Sequence, residues 1–186
     1  MTYGREEIMK ILLTAFEPFL DYTTNPTIEL AHRLKSETID TLNLPVVYEK
    51  AAQQVIEHAQ YENYDFILML GLAADRQTVS IEHHALNLMD ATTPDNEGVI
   101  KRFEVIDENG PDLYLTDIPY QTILLNADSK QIQLSLSAGG YICNDTFYRV
   151  KNALKDYKVG FIHVPKGTTI DLDTQEGIIR WIISLL

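Results

Sequence analysis

Residues 66–70 read Phe-Ile-Leu-Met-Leu, so a strand formed there has no polar face to give to water. Such a strand has to be covered on both sides, and helices packed on a parallel sheet are the usual cover. The rest of the chain has the matching rhythm. Residues 10–15 read as a buried first strand. Asn25-Pro26 then opens a helix, with Asn25 as its N-cap and Pro26 in the first helical position. Ile28, Ala31 and Leu34 share its inner face. A second strand is predicted over 45–48, and a second helix over 49–61 carrying Ala52, Val55, Ile56 and Ala59. From 78 to 87, Val79, Ile81, His83 and Ala85 alternate with Ser80, Glu82 and His84, which reads as a strand with one polar face. Residues 90–117 hold two turn-rich stretches and read as an irregular excursion. A helix over 119–126, a strand over 131–136, a helix over 143–155, a strand over 159–164 and a helix over 175–186 complete the chain. This alternation predicts an α/β fold, a parallel sheet with helices on its faces. With 186 residues and no repeat or linker-like stretch, the chain reads as one domain over 1–186.

Charge and cysteine usage exclude several functions. Lys and Arg number 15 against 27 Asp and Glu, a formal charge of −12, so a cationic surface for nucleic acid is not expected. Cys143 is the only cysteine and cannot close an intramolecular disulfide. The longest apolar stretch, residues 66–74, falls well short of the roughly 18 that suggest a membrane span. No secretory cleavage signature follows the short apolar run at 11–13, so a reducing, cytoplasmic setting is expected. His83 and His84 are neighbours on a strand and should point to opposite faces, and no cluster has zinc spacing. Asp171-Leu172-Asp173 lacks the glycine and glutamate of a calcium loop. No phosphate or dinucleotide motif is present. Neither a metal nor an organic cofactor is expected.

The last three elements carry the chemistry. Strand 131–136, helix 143–155 and strand 159–164 read as one βαβ crossover, which returns its second strand parallel to the first. Open α/β sheets carry their sites at the carboxyl ends of strands. Cys143 follows the first of these strands and His163 ends the second, so the two are expected side by side. Gly139-Gly140 suits the tight turn before Cys143. A thiol at a helix N-terminus beside an imidazole should have its pKa lowered toward the thiolate. Backbone amides there could hold an oxyanion. The plain alternatives are that Cys143 is a small core hydrophobe and His163 a satisfied core histidine. Glu82 could orient His163, or be a solvated charge on an edge strand.

Several separated blocks, in order, carry a resemblance. They are Thr14-Ala15-Phe16-Glu17-Pro18-Phe19 with Asn25-Pro26, and Gly71-Leu72-Ala73 with Arg76, Ser80-Ile81-Glu82 and Asn87. Pro94-Asp95-Asn96-Glu97-Gly98, the run from Ser137 to Asn144, and Phe161-Ile162-His163-Val164-Pro165 follow. Together they make residues 10–165 resemble the pyroglutamyl peptidase I (pyrrolidone-carboxylate peptidase) family of cysteine peptidases. The resemblance implies a three-layer α/β/α sandwich on a mainly parallel, twisted open sheet. It implies Cys143, His163 and Glu82 as catalytic residues and a peptide bearing N-terminal pyroglutamate as substrate. Phe16 and Phe19 on one side, with Leu72, Tyr141 and Ile142, would line an apolar slot for the uncharged lactam ring. A homo-oligomer, tetramer or dimer, is implied as well.

The chain departs from the family pattern at Ala15, Leu20, Asp75 and His83, and over residues 166–169. Thr92 stands where the family carries an arginine expected near the active site, and Arg76 or Arg102 could supply a cation instead. Residues 1–8 read as an extra N-terminal tail. The alternative reading is a diverged, catalytically weak relative that binds pyroglutamyl or other cyclic amides. A nucleoside-handling α/β domain has no motif to support it.

Overall fold

The computed structural model describes residues 9–19, 23–127 and 131–186. The expected tail at 1–8 and the departure at Leu20 lie outside the described residues. Strands β1 (Ile11–Phe16), β2 (Ile39–Leu44) and β3 (Phe66–Leu72) run parallel, with β1 between the other two. Strand β7 (Lys158–Val164) joins β3 in parallel. Beyond it lies β4 (Val79–Leu86), antiparallel to β7, which also pairs the short β5 (Leu113–Leu115) and β6 (Ile132–Ser137). The result is one seven-stranded, mostly parallel sheet.

Side-chain alternation along the strands builds the layers. Leu12, Phe16, Ile67, Met69 and Phe161 meet helices α2 (Lys50–Ala59) and α4 (Ile142–Ala153) on one face. Ile11, Leu13, Leu68, Leu70, Ile162 and Val164 meet α1 (Pro26–Leu34), α3 (Tyr120–Asn126) and α5 (Leu172–Ile183) on the other. The run at 66–70 is fully buried, as its two-sided apolar character required.

Two features differ from the sequence reading. The second strand is at Ile39–Leu44, not 45–48. It sits at the edge of the sheet and is only partly buried, so its Asp40, Thr41 and Asn43 are tolerated and mask the strand signal. More consequential, β6 and β7 are neither neighbours nor parallel. Strand β4 lies between them, parallel to β6 and antiparallel to β7, so the expected crossover does not exist. A pairing partner drawn from fifty residues upstream leaves no trace in the local pattern. Asp171, set aside above as a calcium ligand, caps α5 instead, its Oδ1 accepting the Thr174 N–H at 2.9 Å.

The excursion after β4 is tightly tied. Asn87 Oδ1 accepts the N–H groups of Ile106 and Asp107, each at 2.9 Å, and its Nδ2 donates to the Asp107 carbonyl. Asp95 Oδ1 accepts from Glu97 and Val99 in the Pro94–Gly98 turn, where Gly98 takes φ +85°. The Asn96 N–H then reaches the Val46 carbonyl at 2.9 Å, so this turn buttresses the segment after β2.

Candidate active site

A cavity of about 280 Å³ opens at the carboxyl ends of β1, β3 and β7. Phe16, Phe19 and Val46 line one side of it, and Tyr141, Ile142 and Cys143 come from the start of α4. Leu72 at the end of β3, Arg76 and His163 also face it. Every residue named above for substrate contact therefore lines one cavity, together with Cys143 and His163. The Tyr141 hydroxyl donates to the Pro94 carbonyl at 2.9 Å, so the Pro94–Gly98 turn also supports the aromatic wall.

The approach to Cys143 is fixed by two glycines and an asparagine. Gly139 has φ +89°, which a side chain would strain. A Cβ on Gly140 would lie 2.6 Å from the backbone oxygen of Asp90, whose N–H donates to the Gly140 carbonyl at 2.9 Å. Asn144, fully buried, is held to the end of β4. Its Oδ1 accepts from Leu86 N–H at 2.8 Å, and its Nδ2 donates to the carbonyls of Leu86 and Leu88 at 2.9 and 2.8 Å. Helix α4 is thus fastened to the strand that carries Glu82. Among the described residues no side chain caps the first amides of α4.

Glu82 is fully buried in the sheet interior rather than solvated on an edge. Its Oε1 lies 2.7 Å from His163 Nδ1, which fixes the ring and leaves Nε2 as the other nitrogen. The same Oε1 accepts from Arg76 Nη1 at 2.5 Å, while Oε2 is buried with no protein partner among the described residues. Arg76 Nη2 continues to Ser135 Oγ and the Ser137 carbonyl, at 3.1 and 3.4 Å. The sequence named Arg76 as a cation that could reach the site, and its side chain does line the cavity, though its partner there was not foreseen. Its side chain joins the Glu82 carboxylate to the strand leading into the turn before Cys143. Thr92 is exposed and lines no part of the cavity, and Arg102 is engaged by Asp90 at 2.6 Å.

One electrostatic expectation is overturned. The Cys143 thiol is not lowered toward the thiolate but pushed up to about 12 by burial, with the charge of Glu82 adding and Arg76 opposing. Desolvation outweighs the lowering by Arg76 and by the residue's own backbone N–H. A raised pKa means less thiolate at neutral pH than in an exposed cysteine, whose pKa is roughly 8.5. The rate of alkylation by iodoacetamide should therefore keep climbing through pH 9, and a plateau reached below pH 7 would refute this.

A second expectation also changes. The His83 and His84 rings meet, with centroids 4.4 Å apart and Nδ1 of the first 2.9 Å from Nε2 of the second, instead of pointing apart. His83 packs edge-on to Tyr120, and burial lowers its pKa. Even so, no group of three His, Cys, Asp or Glu suited to a metal occurs among the described residues. No helix among them is long and apolar enough to cross a membrane.

With this geometry in place, the family profile described as pyroglutamyl peptidase matches residues 9–177. The chain belongs to the pyroglutamyl peptidase family. It is 36% identical over 167 residues to the pyrrolidone-carboxylate peptidase of Thermosipho melanesiensis, covering 84% of this chain and 83% of that one. The Vibrio parahaemolyticus pyrrolidone-carboxylate peptidase is 34% identical over 165 residues, covering 84% and 78%. Among solved structures, the pyroglutamyl peptidase I of Bacillus amyloliquefaciens superposes with a TM-score of 0.89 at 28% identity, covering 95% and 96%. A pyrrolidone carboxyl peptidase mutant from Pyrococcus furiosus gives 0.86 at 30% identity, covering 95% and 97%. The α/β architecture with a mainly parallel open sheet is that of this pyroglutamyl peptidase family.

Proposed function

We propose that this chain releases pyroglutamate from the N-terminus of peptides, with Cys143 as nucleophile, His163 as general base and acid, and Glu82 orienting His163. The observation that carries the reading is the 2.7 Å contact of His163 Nδ1 with buried Glu82, beside an apolar cavity that His163 shares with Cys143. Because burial keeps the free thiol protonated, the proton moves to His163 Nε2 as Sγ attacks the carbonyl carbon joining pyroglutamate to the next residue. Uncapped amides at the start of α4 receive the developing oxyanion. The tetrahedral species collapses as His163 passes its proton to the leaving nitrogen, breaking the C–N bond and leaving a thioester on Sγ. Water, deprotonated by His163, attacks the thioester; pyroglutamic acid departs and the thiol is restored. None of these steps calls for a metal or an organic cofactor. A thiol that must stay reduced suits a cytoplasmic compartment.

Phe16, Phe19, Val46, Tyr141 and Ile142 offer the lactam ring apolar surface and no carboxylate. A proline ring of the same size brings a charged amine that this slot would strip of water without a partner. A chromogenic pyroglutamyl amide should therefore be cleaved at least roughly 100-fold faster than the corresponding prolyl amide. Similar rates would refute the recognition argument. Tight binding of an uncleaved pyroglutamyl amide would transfer the reading to a non-catalytic relative.

A further inference from the structure

Glu82 carries a charge that the fold has to balance. It is fully buried, and an uncompensated carboxylate in such a place is strongly unfavourable. Its neighbours across the sheet, Ser135 on β6 and Phe161 on β7, bring no charge. Cys143, from the start of α4, is a thiol that burial holds in its protonated form. His163 Nδ1 meets Glu82 Oε1 at 2.7 Å, and an imidazole is a cation only when it holds a second proton. Among the described residues, Arg76 is the one permanent cation in contact with Glu82, its Nη1 donating to the same Oε1 at 2.5 Å.

The guanidinium is held from both ends. The Ala73 N–H donates to the carbonyl of Val164, the residue after His163, at 2.9 Å. The Arg76 N–H donates in turn to the Ala73 carbonyl at 3.0 Å, so the backbone of Arg76 is set by the strand that carries His163. At its tip, Nη2 donates to Ser135 Oγ and to the Ser137 carbonyl, and Ser135 Oγ donates to that carbonyl as well, at 3.1 Å. The cation therefore has one seat, between Glu82 and the approach to Cys143.

Charge balance gives this seat a role. Without Arg76, a proton on the His163 ring would be the one means of neutralising Glu82 from within contact distance. A ring already protonated at Nε2 cannot accept the thiol proton. With Arg76 in place the carboxylate is balanced, and it can hold Nδ1 without drawing a second proton onto the imidazole. The same charge opposes the burial that keeps the Cys143 thiol protonated, so it also favours sulfur once the proton has left. We infer that Arg76 is a positioning residue of the reaction, whose charge balances Glu82 so that His163 waits as a neutral base. The inference rests on the peptidase reading above and adds a residue that reading does not use.

The test follows two titrations of the full chain. One is the His163 ring by nitrogen NMR with labelled histidine, its signal assigned by loss in His163→Gln. The other is kcat/KM for a chromogenic pyroglutamyl amide against pH. Arg76→Gln removes the charge and keeps a donor, Arg76→Met removes both, and Arg76→Lys keeps the charge. With either neutral variant, the imidazolium should persist to higher pH and the acid limb of activity should rise with it. The expected shift is about one pH unit or more, since an opposite charge in contact moves a titration by roughly 1–3 units. Arg76→Lys should stay close to the parent in both titrations. A purely structural role would lower activity at every pH and move neither, and two neutral variants guard against misfolding of one. An acid limb that stays in place in a folded neutral variant would overturn the inference while leaving the peptidase standing. A lysine variant shifted as far as the neutral ones would do the same. No turnover by the parent would overturn the peptidase reading and the role of Arg76 in it together.

Discussion

Cys143→Ala is expected to lower hydrolysis of a pyroglutamyl amide by about 10⁴-fold or more, because the proposed mechanism routes the acyl-enzyme through this thiol. Cys143 sits half-buried at the cavity wall, and alanine fills most of its volume without creating a buried polar group. Stability should change by no more than about 1 kcal/mol. Steady-state rates and a denaturant titration on the same preparations would check both halves. Turnover within ten-fold of the parent would remove Cys143 from the mechanism.

Gly71→Ala should also be damaging, though less so, from a residue that carries no functional group. Gly71 is paired with His163 across β3 and β7, and an added methyl would lie 2.9 Å from His163 Cδ2 and Nε2 and from Phe161 Cε1. Phe161 is fully buried and cannot yield, so the imidazole has to turn away from Glu82. Misplacement of a catalytic group by about 1 Å costs on the order of 100-fold, so kcat should fall by at least that much. Overpacking should also destabilise the fold by roughly 1–3 kcal/mol. An unaltered kcat would mean that the imidazole position is not what limits the reaction.

Local patterns carried the elements whose stability is local. The Asn25-Pro26 cap, the two-sided run at 66–70 and the amphipathic α2 stand where the sequence predicts them, because each rests on neighbours within a few residues. Strand β2 escaped notice because an edge strand tolerates the polar residues that hide its period. The order of β6, β4 and β7 was out of reach, since it depends on contacts between distant segments. Cys143 and His163 were legible from position and resemblance, yet the reason for their proximity was not the crossover expected. It lies in α4 crossing β4 and β7 on one face of the sheet. The direction of the thiol pKa was misread for a related cause. A helix end can be seen in a sequence, whereas desolvation belongs to the assembled interior. Arg76 was visible as a residue, but its grip on Glu82 depends on a turn that only the folded chain defines.

The three hydrogen bonds from Asn144 to the end of β4 have a mechanical meaning. They fall one residue after Cys143 and tie its helix to the strand bearing Glu82, so thiol, imidazole and carboxylate ride on a single frame. Slow drift between them, of the kind that erodes activity in enzymes whose reacting groups sit on separate loops, has no independent hinge along which to occur. On heating, activity and sheet structure are therefore expected to be lost together.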